Sequence, residues 1–530
     1  MRCVRGVVMV VACAGGAASA QWSDDPLLNT PVVVQPGSQD VVKLAVAPDG
    51  SSWIGWHDFA PGGITVRVQR LDAQGNASFA PEGLLVSDNP QNSFVVDWDL
   101  GADASGNAMV TFVDTRNGGD FDVYAYLISP AGAFLWGDDG VTISDNADFE
   151  ADPRIEQIAA DEYVVVWPRL EGTPGLHLQR LNAEGAIQLN PGGVVIAGNG
   201  VQEPAFSEII PTGDGGFFAS WVRDTATFAS PRFVDAQRFN RDGDPQWGAT
   251  PVAVNTASVV PIAHRPRLIA DGAGGIVIAW HDTRDGDFDC YVQRYSGAGV
   301  RQFAVNGVAV STEPGRQQLD PAVAVAPGGD VMVAFRNTDS VQNLQGLRVQ
   351  RFDGSGARAL GAAGVELLPF DNQFNGPPVA VSDAGGIAVL SELEPGSSIG
   401  NTDGVLQLIR VDTAGAIAGG VPIDVSTTLS QKSRRNLART PSGGFVAAWA
   451  DDRAGNIDVY AQNVNPDGSL GGSCLADIAP PFGVLDLADV QAFIAGFLAQ
   501  NPIADLAPPI GVWDLADLQA FVASFNSGCP

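Results

Sequence analysis

An all-β fold made of one repeated four-stranded unit is predicted for residues 21–470, followed by a small α-helical module at 474–530. Three observations predict it. An aromatic landmark recurs as Trp56, Phe112, Trp167, Trp221, Trp280, Phe335 and Trp449, and a degenerate copy puts Ser391 in the same place, giving eight copies spaced 54 to 59 residues apart. Around each landmark the apolar runs are short, β-branched or aromatic, and bounded by Gly, Asp or Pro, which is strand rather than helix chemistry. After Gly471-Gly472-Ser473 that pattern stops, and a loop-and-helix phrase is said twice.

The unit is clearest at 266–320. Pro266 to Ala270 forms a first strand and Ile276 to Trp280 a second, joined through Gly274-Gly275. The polar loop His281 to Asp289 leads to a third strand, Cys290 to Tyr295, and Gly307 to Ser311 supplies a fourth. Turns between third and fourth strands carry the Asp/Asn…Gly chemistry of tight turns, as in Asp72 to Gly75, Asn240 to Gly243, Asp353 to Gly356 and Asn465 to Gly468. One four-stranded sheet cannot cover both its faces, so each unit needs a neighbour on either side. Eight such units predict an eight-bladed β-propeller. The eighth copy has only three strands, Arg434 to Arg439, Phe445 to Trp449 and Val459 to Val464, and Thr30 to Val34 resembles the missing fourth. The two ends of the ring are therefore expected to share one blade.

Residues 1–20 read as a secretory signal peptide, with Arg2 and Arg5, an apolar core from Gly6 to Ala12, and Ala18-Ser19-Ala20 before the cut. No later segment approaches the roughly twenty apolar residues of a membrane-spanning helix. The expectation is a secreted protein, extracellular or attached to the cell surface. With 60 acidic against 29 basic residues, nucleic acid and anionic membrane are excluded as partners, because phosphate binding needs clustered Lys and Arg.

The loops between second and third strands are the most polar part of the repeat. Three are alike: Asp114-Thr115-Arg116 with Asp120 and Asp122, Asp282-Thr283-Arg284 with Asp285, Asp287 and Asp289, and Asp451-Asp452-Arg453 with Asn456 and Asp458. Oxygen ligands on alternate residues suit calcium. The competing reading is that each leading Asp caps the turn and pairs with its Arg, while Tyr124, Tyr291 and Tyr460 pack. His57 and His281 occupy one place in two units, directly after the landmark Trp, so they join these loops as candidate ligands on one rim of the disc. The Gln-Arg pair of the third strand (Gln69, Gln179, Gln237, Gln293, Gln350 and their successors) repeats too faithfully for a single catalytic site and reads as architecture.

No nucleophile elbow, phosphate loop or His-Glu-x-x-His motif is present, nor the Ser-x-Asp-x-Gly-x-x-Trp boxes of propeller sialidases. A carboxylate pair for glycoside cleavage stays open, since with 60 acids some pair will always be close. The repeat resembles the loosely related propellers of large exported bacterial proteins, which names an architecture and not an activity.

In the tail, Asp477 to Asp489 is echoed 28 residues later by Asp505 to Asp517, each a loop running into a helix. Leu487, Val490, Phe493, Ile494 and Phe497 form one apolar face and Leu515, Leu518, Phe521, Val522 and Phe525 the other, expected to be used up in packing the pair and to leave Gln491, Ala495, Gln519 and Ala523 outward. This duplicated Asp-rich loop and helix, framed by Cys474 and the ending Gly528-Cys529, resembles a dockerin, the module that attaches secreted proteins to cohesin domains. The resemblance implies a cohesin-like or cell-surface scaffold partner, and calcium held by Asp477, Asp486, Asp489, Asp505, Asp514 and Asp517. The chain departs from the dockerin pattern where Ala479, Pro481, Ala507 and Pro509 replace acidic ligands, so the alternative is that Asp486 and Asp514 cap helices in place of an ion. Cys474 and Cys529 bracket a module too small for a large core, and a disulfide between them is expected in an exported protein. Cys290 stands where sister copies have Val123 and Val459 and reads as a buried thiol.

The missing catalytic motifs favour a non-catalytic binding or scaffolding role for the ring, with polysaccharide a candidate ligand. The alternative is a carbohydrate-active enzyme, a glycoside hydrolase or polysaccharide lyase on a propeller scaffold.

Overall fold

The computed structural model describes Trp22 to Ser527 apart from residues 61, 92–96, 118, 173, 199–203, 225–230, 258–259, 262–263, 395–402, 473–475, 480–484 and 508–511. The expected leader at 1–20 and both framing cysteines, Cys474 and Cys529, lie outside the described residues. Among the described residues up to 470 the regular structure is strand, interrupted only by the 3-10 turn Ala418–Gly420. Six sheets have four strands each, in chain order. A seventh, eight-stranded sheet holds two further sets of four. They are fused because the 17-residue strand Ile423–Arg439 pairs first with Asp403–Asp412 and then, past residue 431, with Phe445–Asp451. Thr30–Val33 lies antiparallel on Asp458–Val464, Thr30 opposite Ala461 and Val33 opposite Val459. The fold is thus a β-propeller type of repeated meander, with the N-terminal strand completing the last set.

Apolar side chains decide how the sheets stack. Val41, Trp53 and Val66 of the first unit pack with Trp98, Val110 and Phe112 of the second. Equivalent clusters join each later unit to the next. The last returns to the start, where Val446, Ala448 and Val459 meet Val42, Ile54 and Trp56, with Trp22, Val32 and Val33 between them. Three of the landmark tryptophans have a glycine opposite them. Gly83, Gly193 and Gly307 have φ between 74° and 79°, and a Cβ on any of them would come within 2.6 Å of the indole of Trp56, Trp167 or Trp280.

The Gln-Arg pairs hold the outer turns in place. Gln293 and Gln350, wholly buried, donate to the carbonyls of Ala304 (2.6 Å) and Gly361 (2.9 Å), while their Oε1 atoms accept the next residue's amide. The adjoining arginines reach back to the turn after the first strand, Arg294 to Asp271 (3.0 Å) and Arg351 to Asp330 (2.9 Å).

The tail contains helices α1 (Leu487–Leu498) and α2 (Leu515–Ser527), packed through Phe493 on Phe521 with ring centroids 4.2 Å apart. Its core is small: Ala476, Phe493, Ala504 and Phe521 are buried, while Val490, Phe497 and Phe525 are half-buried around them. The expectation that packing would consume the whole apolar face is corrected. Leu487, Ile494 and Leu498 on α1, with Leu515, Leu518 and Val522 on α2, remain exposed, because two short helices cover only the inner edge of each stripe. Among the described residues no helix is long and apolar enough to cross a membrane.

Candidate active site at the channel mouth

Thirteen residues before each landmark lies a residue of the unit's first strand, or in the seventh unit the residue just before it. In the first five units those residues are Lys43, Asp99, Arg154, Glu208 and Arg267, alternating in sign, and in the last three they are Ala322, Pro378 and Asn436. Two residues earlier the backbone is left-handed in five units: Val41, Asp152, Phe206, Asp320 and Arg434 have φ between 44° and 54°. In four of these strands the register shifts at that place, between Asp40 and Lys43, Ala205 and Glu208, Leu319 and Ala322, and Ser433 and Asn436. Such bulges re-aim side chains, and non-glycine residues held at positive φ are concentrated where a fold positions function.

The first strands converge on a cavity of about 640 Å³, lined from seven of the eight sets. Asp97 is its hub. Lys43 Nζ lies 2.9 Å from it, Arg154 Nη2 2.9 Å and Arg265 Nη1 3.1 Å, and the Asp97 amide donates to Asp152 (2.7 Å). Arg265 also reaches Glu208 at 3.1 Å and Asp152 at 3.5 Å, with its guanidinium over the Phe206 ring. Asp99 accepts the amide of Ile155 at 3.1 Å.

This network drives neighbouring carboxyls apart. Burial works against ionising Asp97, but Lys43 and Arg154 outweigh it and hold its carboxyl well below the usual range. Burial pushes Asp152 up to about 6, with Arg154 opposing and the Asp97 charge adding. Glu156, two residues along the strand from Arg154, is raised furthest: burial and then the charges of Asp99 and Glu208 carry it from 4.5 to about 8. Glu156 is not one of the residues that line the cavity; raised to about 8, it holds its proton at neutral pH near Asp99 and Glu208, which do line it. A larger recess of about 860 Å³ lies against the turns at 269–273 and 323–330, where Asp271 and Arg294 are already paired.

The expected rim site is placed differently. His57 is fully buried and stacks on Trp98 (5.6 Å), and burial lowers its pKa to about 3. His281 is buried between units: it stacks on His264 at 3.8 Å, its Nδ1 accepts the Asp320 amide at 3.1 Å, and burial lowers it to about 4. Both are thus neutral rings inside the stack, set there because the second strand ends under the next unit's first strand. Asp114, Asp282 and Asp451 are buried acceptors for their own loop arginines, Arg116, Arg284 and Arg453, at 2.5 to 2.6 Å. Trp280 and Trp449 donate to Asp282 and Asp451, both at 2.8 Å. The three guanidiniums lie 3.6 to 4.2 Å above Tyr124, Tyr291 and Tyr460. Asp285 accepts the Tyr291 hydroxyl (3.0 Å), Asp287 accepts from Gln317 (3.3 Å) and Asp458 from the Gln35 amide (3.2 Å). Asp122 and Asp289 are pushed up to about 6, first by burial, with the carboxylates around them adding.

In the tail, Asp486 and Asp514 accept the amides of Ala488 (2.6 Å) and Ala516 (2.7 Å) at the helix starts. Asp489 and Asp517, wholly buried, each accept three backbone amides: those of 478, 479 and 486, and those of 506, 507 and 514. Asp477 and Asp505 open the two loops. The donor set is arranged as helix caps, and among the described residues no three of His, Cys, Asp and Glu converge as ligands of one ion.

No family model and no curated protein matches the chain. Among solved structures it is similar to a puromycin hydrolase (14% identity over 82% of this chain, TM-score 0.43), of whose length it spans 61%. It is also similar to a PL25 ulvan lyase, a polysaccharide lyase (10% identity, 86% of this chain and 96% of that one, TM-score 0.43), and to an α-L-arabinanase of Penicillium chrysogenum (15% identity, 60% and 94%, TM-score 0.33). The likeness is one of fold, and the three neighbours are enzymes, which counts against the expectation of a non-catalytic binding or scaffolding ring. The channel charges escaped the motif search because they form no local motif. Their signal was a fixed offset from the landmark at which residue type varies while the rest of the phrase stays constant.

Proposed function

We propose that the chain is an exported carbohydrate-active enzyme, an eight-bladed propeller that hydrolyses a glycosidic bond at its channel mouth. The observation that carries the reading is Glu156, raised by burial and by Asp99 and Glu208, two carboxyls that line the cavity. Glu156 delivers its proton to the leaving oxygen as the glycosidic carbon–oxygen bond breaks. Asp99, which lines the cavity, takes the proton of the water that bonds to the anomeric carbon. Lys43, Arg154 and Arg265 fix Asp97 and thereby the shape of the site. Incubating the protein with a panel of plant and algal polysaccharides tests this. Reducing ends without new unsaturation are expected; unsaturated ends would mean elimination, and no product from any polysaccharide would overturn the reading.

The leader is proposed to direct export, and the dockerin-like tail to attach the enzyme to a cohesin-like or cell-surface protein. The doubled row of exposed apolar residues on α1 and α2 supports attachment, since contiguous apolar surface marks binding faces.

A further inference from the structure

The channel mouth has a charge opposite to that of the molecule. The chain carries a formal charge of −31, yet the cavity is lined by Lys43, Arg154, Arg265, Arg267, Arg434 and Arg435 against only Asp97, Asp99 and Glu208. Four of these six cations are committed. Lys43, Arg154 and Arg265 are tied to Asp97, and Arg435 to Glu392. Arg267 and Arg434 are both exposed, and Arg267 acts on Glu208 through its charge without closing an ion pair among the described residues. They come from the fifth and eighth units and face one cavity, Arg434 from a left-handed position (φ 50°) at a bulge.

We propose that Arg267 and Arg434 bind an anionic group, a uronate carboxylate or a sulfate ester, so that the substrate is an acidic polysaccharide. A planar guanidinium matches either anion with two parallel hydrogen bonds. The molecule as a whole is negative and the mouth is basic, so a polyanion is directed to the cavity. The assignment of a substrate rests on the enzyme reading above; the binding itself does not.

The test is calorimetric titration of the full chain with three tetrasaccharides: galacturonate, a sulfated galactan and neutral cellotetraose. Cleavage is followed in parallel. Either or both acidic probes are expected to bind, with affinity at least tenfold weaker in Arg267→Gln and Arg434→Gln and falling steeply with salt. Arg267→Lys should keep part of the affinity, because it keeps the charge and loses the fork. Which acidic probe binds tells carboxylate from sulfate. Tighter binding of cellotetraose, unchanged affinity in both Gln variants with folding intact, or no binding of either acidic probe would overturn the proposal. Acidic binding without cleavage of any polysaccharide in the panel would sink the enzyme reading and leave the anion site standing. Cleavage of a neutral polysaccharide alone would do the reverse.

Discussion

At the scale of single residues, the decisive group is Glu156. Its pKa is raised from 4.5 to about 8 in the folded protein, so the folded state keeps a proton that the unfolded chain releases. Stability from this group is fully present below pH 4.5 and is lost as pH rises through 8. Glu156→Gln, which is neutral throughout, should therefore have a Tm advantage that grows between pH 5 and 8 and levels off above. Thermal unfolding of both proteins across that range checks it; parallel Tm curves would mean that Glu156 ionises normally. The same scale shows what a linear reading misses. The loop arginines paired with Asp282 and Asp451 were legible as one of two alternatives, because donor and acceptor sit two residues apart. Glu156 was not legible, because its perturbers Asp99 and Glu208 belong to the units before and after its own.

At the scale of elements, the strand Thr30–Val33 has the largest consequence for its length. Val32 and Val33 are 5% and 3% exposed and sit in the cluster that joins the last unit to the first. Burying a valine is worth roughly 1.5–3 kcal/mol, and losing this strand also leaves Asp458–Val464 as a bare edge. A chain beginning at Gln35 should unfold several degrees lower and aggregate on heating; an unchanged Tm would mean that the strand does not close the fold. This element was visible in the sequence because the eighth copy lacks one strand and the N-terminus supplies its phrase. The tail helices were visible too, from their doubled pattern. Their packing was not, since periodicity marks an apolar stripe without telling how much of it a partner covers. The small core of the tail makes a staple valuable: closing the loop from Cys474 to Cys529 is worth about 4 kcal/mol in the loop-entropy model. Mass spectrometry of non-reduced peptides should find the two joined, and free thiols would refute the pairing.

At the scale of the whole molecule, repetition explains both what is constant and what is special. Packing residues such as Trp280 and Gln293 recur because every unit meets its neighbour in the same way. The first strands are free to vary, since they face a shared channel rather than another sheet, and there the charges of five units assemble one asymmetric site. The tail carries exposed apolar residues along both of its helices. Deleting 474–530 should leave polysaccharide cleavage intact and abolish retention on the producing cell; equal retention with and without the tail would remove the attachment role. The central claim is tested most directly by the pH–rate profile of polysaccharide cleavage for the wild type and Glu156→Gln. The account predicts that kcat/KM falls above about pH 8 in the wild type, and that Glu156→Gln loses at least a hundredfold while remaining folded. Full activity in Glu156→Gln would contradict it.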